Sequence, residues 1–324
     1  MPFSRRTVLS TVLTGALSSA LAGPLARAAD ATVRIGILPF GTAAWELDVI
    51  RRNGFDKAQN VAIEVIEFES SPATQAALQA GRVDMIVLDW LWVVGRRAEG
   101  ADWTFAPVSS AAGGLVARPG RTKIIADLPG TKLGIVGPLD KNWLILQAYA
   151  KHKFDIDLDQ TIEKVVAPPP ELLRKLSAGQ VEAMVTFWPF AAKAEAQGMQ
   201  HVISVQEAVR ELGVVTSVPF SGFVFSRGWA VNNRSLVDGF LAAGAQARAL
   251  MEASDDEWLR LKPILNAEDE VEFKQLKNAY RQGIIGQPSN IQRAAMAQLY
   301  RILAEIGGFG MVGATTEIPP GTFW

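Results

Sequence analysis

Few side chains in this 324-residue sequence can do covalent chemistry. There is no cysteine, hence no disulfide, no thiolate nucleophile and no thiolate metal site. The two histidines, His152 and His201, stand in polar helical or loop surroundings, which argues against a His-based triad. No glycine-rich loop of the phosphate-cradling kind is present. Asp155-Ile156-Asp157-Leu158-Asp159 starts like a calcium loop. Its sixth position, however, is Gln160 instead of glycine and its twelfth is Val166 instead of glutamate, so the sharp turn and the bidentate ligand are missing. Non-covalent recognition remains, with no metal and no cofactor expected. Trp45, Trp90, Trp143 and Trp188 can stack on a flat ring or hold a cation, or equally pack in a core. Around them stand Phe40 and Thr42, then Asp89, then Asp140, Lys141 and Asn142, then Phe187. Ser70, Ser71, Ser109 and Ser110 can hydrogen-bond a carboxylate, a sulfonate or a ring nitrogen, and helix capping explains Ser71, Asp89 and Asp140 equally well.

These residues make a site only if the fold gathers them, and an internal repeat says how. Leu78-Gln79-Ala80-Gly81-Arg82-Val83-Asp84-Met85-Ile86-Val87 aligns with Leu176-Ser177-Ala178-Gly179-Gln180-Val181-Glu182-Ala183-Met184-Val185, an offset of 98. At the same offset Arg34–Leu38 lies over Lys132–Val136, Trp45 over Trp143 and Trp90 over Trp188. Each copy reads strand, helix, strand, helix, strand, with first-copy strands at Val33–Leu38, Val61–Phe68 and Val83–Leu88. Alternation of that kind predicts a mostly parallel sheet flanked by helices, so the chain is α/β with two lobes on one plan. Ser70-Ser71-Pro72 and Gly81 bound one helix, and Pro168-Pro169-Pro170-Glu171 and Gly179 bound its counterpart. Ligands of such sheets lie outside the carboxyl ends of the strands. The repeat therefore assigns the cleft wall to Phe40, Thr42, Trp45, Ser70, Ser71, Asp89, Trp90 and Ser110 from one lobe. Asp140, Asn142, Trp143, Phe187 and Trp188 come from the other, and Trp90 and Trp188, if they face each other, could sandwich a flat or cationic ligand.

Beyond the second copy come a strand-like run at Ser221–Phe225 and helical stretches near Leu236–Ala253, Asp255–Leu265, Val271–Gln282 and Ile291–Glu305. The expected division is lobe one at 29–118 and 219–324, lobe two at 119–218, and a hinge where the chain crosses near 118–122 and 214–220.

At the N-terminus, Ser4-Arg5-Arg6-Thr7-Val8-Leu9 and a weakly apolar stretch to about Leu25 read as a twin-arginine export signal over residues 1–28, cleaved after Ala26-Arg27-Ala28. Its removal leaves 29 basic against 33 acidic residues, a net of −4, so nucleic acid is an unsuitable partner. The mature chain is expected in the periplasm as a monomer.

The motifs then carry a resemblance. Val33-Arg34-Ile35-Gly36-Ile37-Leu38-Pro39, Asn53-Gly54-Phe55 and Ala77–Asp84 resemble the substrate-binding proteins of ABC importers for sulfonates, nitrate and thiamine precursors. Ala126-Asp127-Leu128-Pro129-Gly130-Thr131-Lys132-Leu133, Ser177–Ala183 and Trp188-Pro189-Phe190 resemble the same family's second lobe. The resemblance implies the periplasmic-binding-protein fold, closure like a Venus flytrap, no enzymatic activity, and delivery of a small solute to an ABC permease and ATPase. The aromatic and acidic residues lean toward a heterocyclic, amine-bearing or chelated solute over a sulfonate or nitrate. Two other classes stay open: a ligand-sensing module for a membrane receptor, told apart by its neighbours, and an enzyme of the thiamine-pyrimidine or menaquinone-pathway type on the same fold. The pyrimidine synthases carry a cysteine-rich motif, which this chain lacks.

Overall fold

The structure, a computed structural model, describes residues 31–286, 289–313 and 315–324; the export signal expected over 1–28 lies outside them. The chain opens with β1 (Ala31–Ile37), α1 (Ala43–Asn53), the one-turn α2 (Phe55–Ala58), β2 (Val61–Glu67), α3 (Ser71–Gln79), β3 (Met85–Leu88), α4 (Trp90–Ala98) and β4 (Trp103–Ser109). It continues through β5 (Gly114–Ala117), β6 (Lys132–Ile135), α5 (Lys141–Phe154), α6 (Leu158–Thr161), β7 (Glu163–Val166), α7 (Pro169–Ser177), β8 (Ala183–Thr186), α8 (Trp188–Ala196), β9 (Gln200–Ser204) and α9 (Val205–Glu211). It ends with β10 (Ser221–Ser226), α10 (Arg227–Asn232), α11 (Arg234–Ala253), α12 (Asp255–Leu265), α13 (Glu270–Gly283) and α14 (Asn290–Val312).

Among the described residues ten strands make two five-stranded sheets, β2-β1-β3-β10-β4 and β7-β6-β8-β5-β9. The two orders are the same order twice. In each sheet the fourth strand runs against the other four, so both are mostly parallel, as the repeat predicts. The repeat extends to single bonds: the Asp84 N–H donates to Arg34 O at 2.8 Å and, ninety-eight residues on, the Glu182 N–H donates to Lys132 O at 2.9 Å. Helix limits follow the same chemistry. Ser70 caps α3 by accepting from the Ala73 N–H, and Gly81 and Gly179 leave α3 and α7 in the left-handed region, at φ 67° and 69°, where a side chain would be strained.

The antiparallel strand of each sheet is the strand that follows a crossing between lobes. This corrects one expectation. β5 lies in the second sheet, so the first crossing is at 110–113 and not at 118–122, where Pro119 and Gly120 pointed. The physical reason is that Leu115-Val116-Ala117 is a continuous apolar run that is fully buried only between β8 and β9. The return passes through 212–220 and runs beside the first crossing: the Phe220 N–H donates to Ser109 O at 2.9 Å. Alternate residues of each strand enter opposite faces of the sheet, so Met85 packs with α1 and α11 while its neighbour Ile86 packs with α4. The outer edge of β4 is closed by the last residues of the chain, where the Phe105 N–H donates to Thr322 O at 2.7 Å and the Trp324 N–H donates to Phe105 O at 3.0 Å. Among the described residues no helix is long and apolar enough to cross a membrane.

Candidate functional site

The two lobes meet with the carboxyl ends of their parallel strands facing one another, and aromatic side chains touch across the gap. Helix α1 of lobe one meets α8 of lobe two, where Trp45 and Trp188 stack edge to face with centroids 5.8 Å apart. Phe40 and Phe190 do the same at 5.8 Å. On the other side of the molecule, Trp90 at the start of α4 and Trp143 in α5 share one buried cluster. One interlobe tryptophan pair is thus formed, Trp45 with Trp188, while Trp90 and Trp143 belong to the core. Trp90 is fully buried beside Tyr300 and donates its indole N–H to Pro219 O at 2.9 Å, so both its faces and its one donor are used inside the protein. Trp143 is core as well. A solute sandwiched between Trp90 and Trp188 therefore has no place in this arrangement.

Polar side chains gather at the same strand ends. Asp140 caps α5 by accepting from the Asn142 and Trp143 N–H groups at 3.1 and 3.4 Å. That fixes the helix start and turns the Asn142 carboxamide inward, where it is 0% exposed and neither its nitrogen nor its oxygen has a hydrogen-bond partner. The Thr186 hydroxyl, at the carboxyl end of β8, is equally buried and equally unpartnered. Gly113, in the first crossing, closes this corner: a Cβ there would lie 1.7 Å from Thr186 O and 3.1 Å from Asn142 Nδ2, so only glycine lets the crossing pass. From lobe one, Asp89 caps α4 through the Trp92 N–H at 3.0 Å and is itself buried.

Electrostatics ties the two halves. Burial pushes the Asp89 carboxyl above its usual range, opposed by the Lys141 ammonium and by backbone N–H groups. Burial also raises Asp140, opposed by Lys141 and reinforced by the Asp89 carboxylate from the opposite lobe. Lys141 in addition lies over the Phe187 ring at 5.6 Å. One ammonium and two carboxyls of different lobes thus share one field.

Toward α1 and α8 a cavity of about 30 Å³ is lined by Thr42, Glu46, Ser109, Trp188, Ser221 and Tyr280, among others. Glu46 is buried and fully engaged, accepting from Tyr280 Oη at 2.8 Å and from Arg248 at 2.9 Å. Burial and the Glu46 charge hold the Tyr280 phenol well above its usual pKa, which keeps it a donor. The same edge is locked across the lobes by Lys193 of α8, which pairs with the buried Glu272 of α13 and donates to Asn266 O at 2.6 Å.

Of the remaining residues indicated by sequence, Thr42 lines the cavity and Phe40 stands at the α8 contact. Ser70 caps α3, and Ser71, the first residue of that helix, uses its carbonyl to accept from Thr74. Ser110 is drawn to Gly283 O at 3.3 Å, a contact that fastens the crossing to α13. Thr186, Gly113 and Glu46 were missed. Thr186 carried a signal, because it ends the apolar run Ala183-Met184-Val185 where the first copy of the repeat has Leu88. The Asp155–Asp159 run is spent on structure: Asp155 pairs with Lys151, Asp157 caps α6, and Asp159 pairs with Lys164. Among the described residues no group of three or more His, Asp or Glu side chains is placed to hold a metal ion.

Two like sheets, two adjacent crossings and polar side chains gathered at facing strand ends define the two-lobed fold of periplasmic binding proteins. Residues 111–259, from the first crossing into α12, match the model of the NMT1-like family. Solved structures with the same fold are the alkanesulfonate-binding protein SsuA of Xanthomonas axonopodis pv. citri bound to MOPS (17% identity, TM-score 0.70, covering 91% of this chain and 98% of that one) and the periplasmic aliphatic sulphonate binding protein SsuA of Escherichia coli (19%, 0.68, 91% and 97%). The nitrate-binding protein NrtA of Synechocystis is a third (12%, 0.58, 88% and 92%). The comparisons thus show the fold that the resemblance read from the motifs implies. No curated protein matches the chain at a significant level.

Proposed function

We propose that this protein is an extracytoplasmic solute-binding protein that captures a small organic solute between its two lobes and hands it to an ABC permease and its ATPase. The observation that carries the reading is the Asn142 carboxamide, fully buried with both polar atoms unpartnered, beside the unpartnered Thr186 hydroxyl at the strand ends. Burying such groups costs about 1–3 kcal/mol each when nothing bonds them, a cost that a ligand offering complementary groups removes. Asn142 presents one donor and one acceptor side by side, which suits a solute with an amide-like or heterocyclic edge. Asp89 and Asp140 accept from an amine on the same solute. These features favour a heterocyclic or amine-bearing solute over a bare sulfonate or nitrate.

The cavity of about 30 Å³ at the α1 and α8 edge holds little more than water, so the solute enters when the lobes part about the crossings at 110–113 and 212–220. Closure follows from differential affinity, since the solute touches both lobes only in the closed form. Export through the twin-arginine signal over 1–28 places this cycle in the periplasm. The test is a thermal-shift screen of the chain from Ala29 against pyrimidines, amines, amino acids, chelated metals, sulfonates and nitrate. A solute at about a hundred times its Kd adds roughly 2.7 kcal/mol. The expected result is a rise in melting temperature with a heterocycle or amine. A rise with sulfonates or nitrate alone would overturn the solute class, and no rise with any of them would overturn the binding role for these solutes.

A further inference from the structure

Beside the cleft cavity, and sharing Val108 with it, a groove of about 770 Å³ runs between α11, the outer edge of β4, the start of α14 and the end of the chain. Its volume is that of a site for an organic molecule, roughly 300–1,000 Å³. The lining has two characters. Ala106, Leu241, Ala245, Ala249 and Met296 make an apolar floor. Over that floor stand four guanidiniums, Arg227, Arg234, Arg248 and Arg293, of which Arg248 is paired with Glu46 and Arg234 with Asp238, beside one further carboxylate, Glu252.

The arginines differ in how they are held. Arg248 is nine-tenths buried and fixed by its bond to Glu46, so its guanidinium cannot swing out to water. Arg234 is paired with Asp238 at 3.2 Å, and both Arg234 and Arg227 lie over the Trp324 ring, at 5.2 and 5.8 Å. Arg227 and Arg293 form no ion pair among the described residues. Arg227 and Arg293 thus stand beside an apolar floor with no carboxylate partner, and an anion whose apolar body covers that floor would pair with them.

The geometry points to a second binding site, on lobe one and outside the cleft, for an amphiphilic organic anion: a carboxylate, sulfonate or phosphate head on an apolar body. The site does not depend on what the cleft binds. It is tested by titrating the whole mature chain with 8-anilinonaphthalene-1-sulfonate, a sulfonated aromatic dye that fluoresces on leaving water. The expected result is one saturable site, from which decanoate displaces the dye and decyltrimethylammonium, with the same tail and the opposite charge, does not. Ala245→Trp, on an exposed part of α11, fills the groove, and Arg293→Glu reverses a charge at its rim. Each is expected to weaken the dye by roughly tenfold or more. If Ala245→Trp does not fold, judged by its melting curve, Arg293→Glu decides. Unsaturable binding, equal displacement by the cationic detergent, full affinity in the folded variants, or loss of the dye in Asn142→Leu, which would put it in the cleft, each overturn the proposal.

Discussion

Asn142 sits where a folded protein gains nothing from a carboxamide. An apolar side chain of the same size at that point would pack against Gly113 and Thr186 without leaving two polar atoms unbonded. Asn142→Leu is therefore expected to stabilise the solute-free protein by about 1–3 kcal/mol, seen as a melting temperature a few degrees higher. A lower melting temperature would show that the carboxamide is satisfied in the native state and has no ligand to wait for. A residue that destabilises the fold at a cleft is the pattern expected of a binding group. Sequence could name Asn142 because it opens a helix after a strand, and could name Asp89 and Asp140 for the same reason. It could not distinguish Trp188 from Trp90, since both follow third strands of the repeat. What separates them is a carbonyl from a distant segment, that of Pro219, which takes the Trp90 indole N–H.

At the scale of elements, β9 is pinned to two helices through one side chain. His201 Nδ1 lies 3.0 Å from Glu195 of α8 and Nε2 lies 3.0 Å from Glu207 of α9. The bond to Glu195 leads in raising the imidazole pKa from 6.5 to about 9, partial burial opposes it, and Glu207 adds to the rise. Glu207, despite partial burial, is brought from 4.5 down to about 2 by its bonds to Ser204 and His201. The raised histidine contributes stability that is fully present below pH 6.5 and is lost as pH rises through about 9. The lowered glutamate contributes stability that is present above pH 4.5 and is lost as pH falls through about 2. The clamp thus acts in full between these limits, and melting temperature is expected to fall from pH 6.5 to 9 in the wild type, less so in His201→Gln. Equal slopes for the two proteins would show that the clamp does not form. The elements themselves were legible because their signals are local: caps, prolines, terminal glycines and apolar periodicity. The C-terminal helices expected near 236–253, 255–265, 271–282 and 291–305 stand at 234–253, 255–265, 270–283 and 290–312.

At the scale of the whole molecule, the ninety-eight-residue repeat determines most of the architecture: two sheets of one strand order, with Trp45 of α1 set against Trp188 of α8 across the lobes. The repeat does not encode the strands that follow each crossing. β5 is short and its apolar run is indistinguishable, by periodicity, from the end of lobe one, so the first crossing was placed several residues late. The two copies also differ at the polar cluster, with Asp140, Lys141, Asn142 and Thr186 standing where the first copy has Thr42, Ala43, Ala44 and Leu88. The most direct test is calorimetric titration of the solute found by thermal shift into the wild type and into Asn142→Leu. Saturable binding to the wild type and at least a tenfold weaker Kd in the variant, a loss of about 1.4 kcal/mol or more, is the predicted result. Equal affinity in the two folded proteins would contradict the account, because the solute would then lie elsewhere than between the lobes at Asn142.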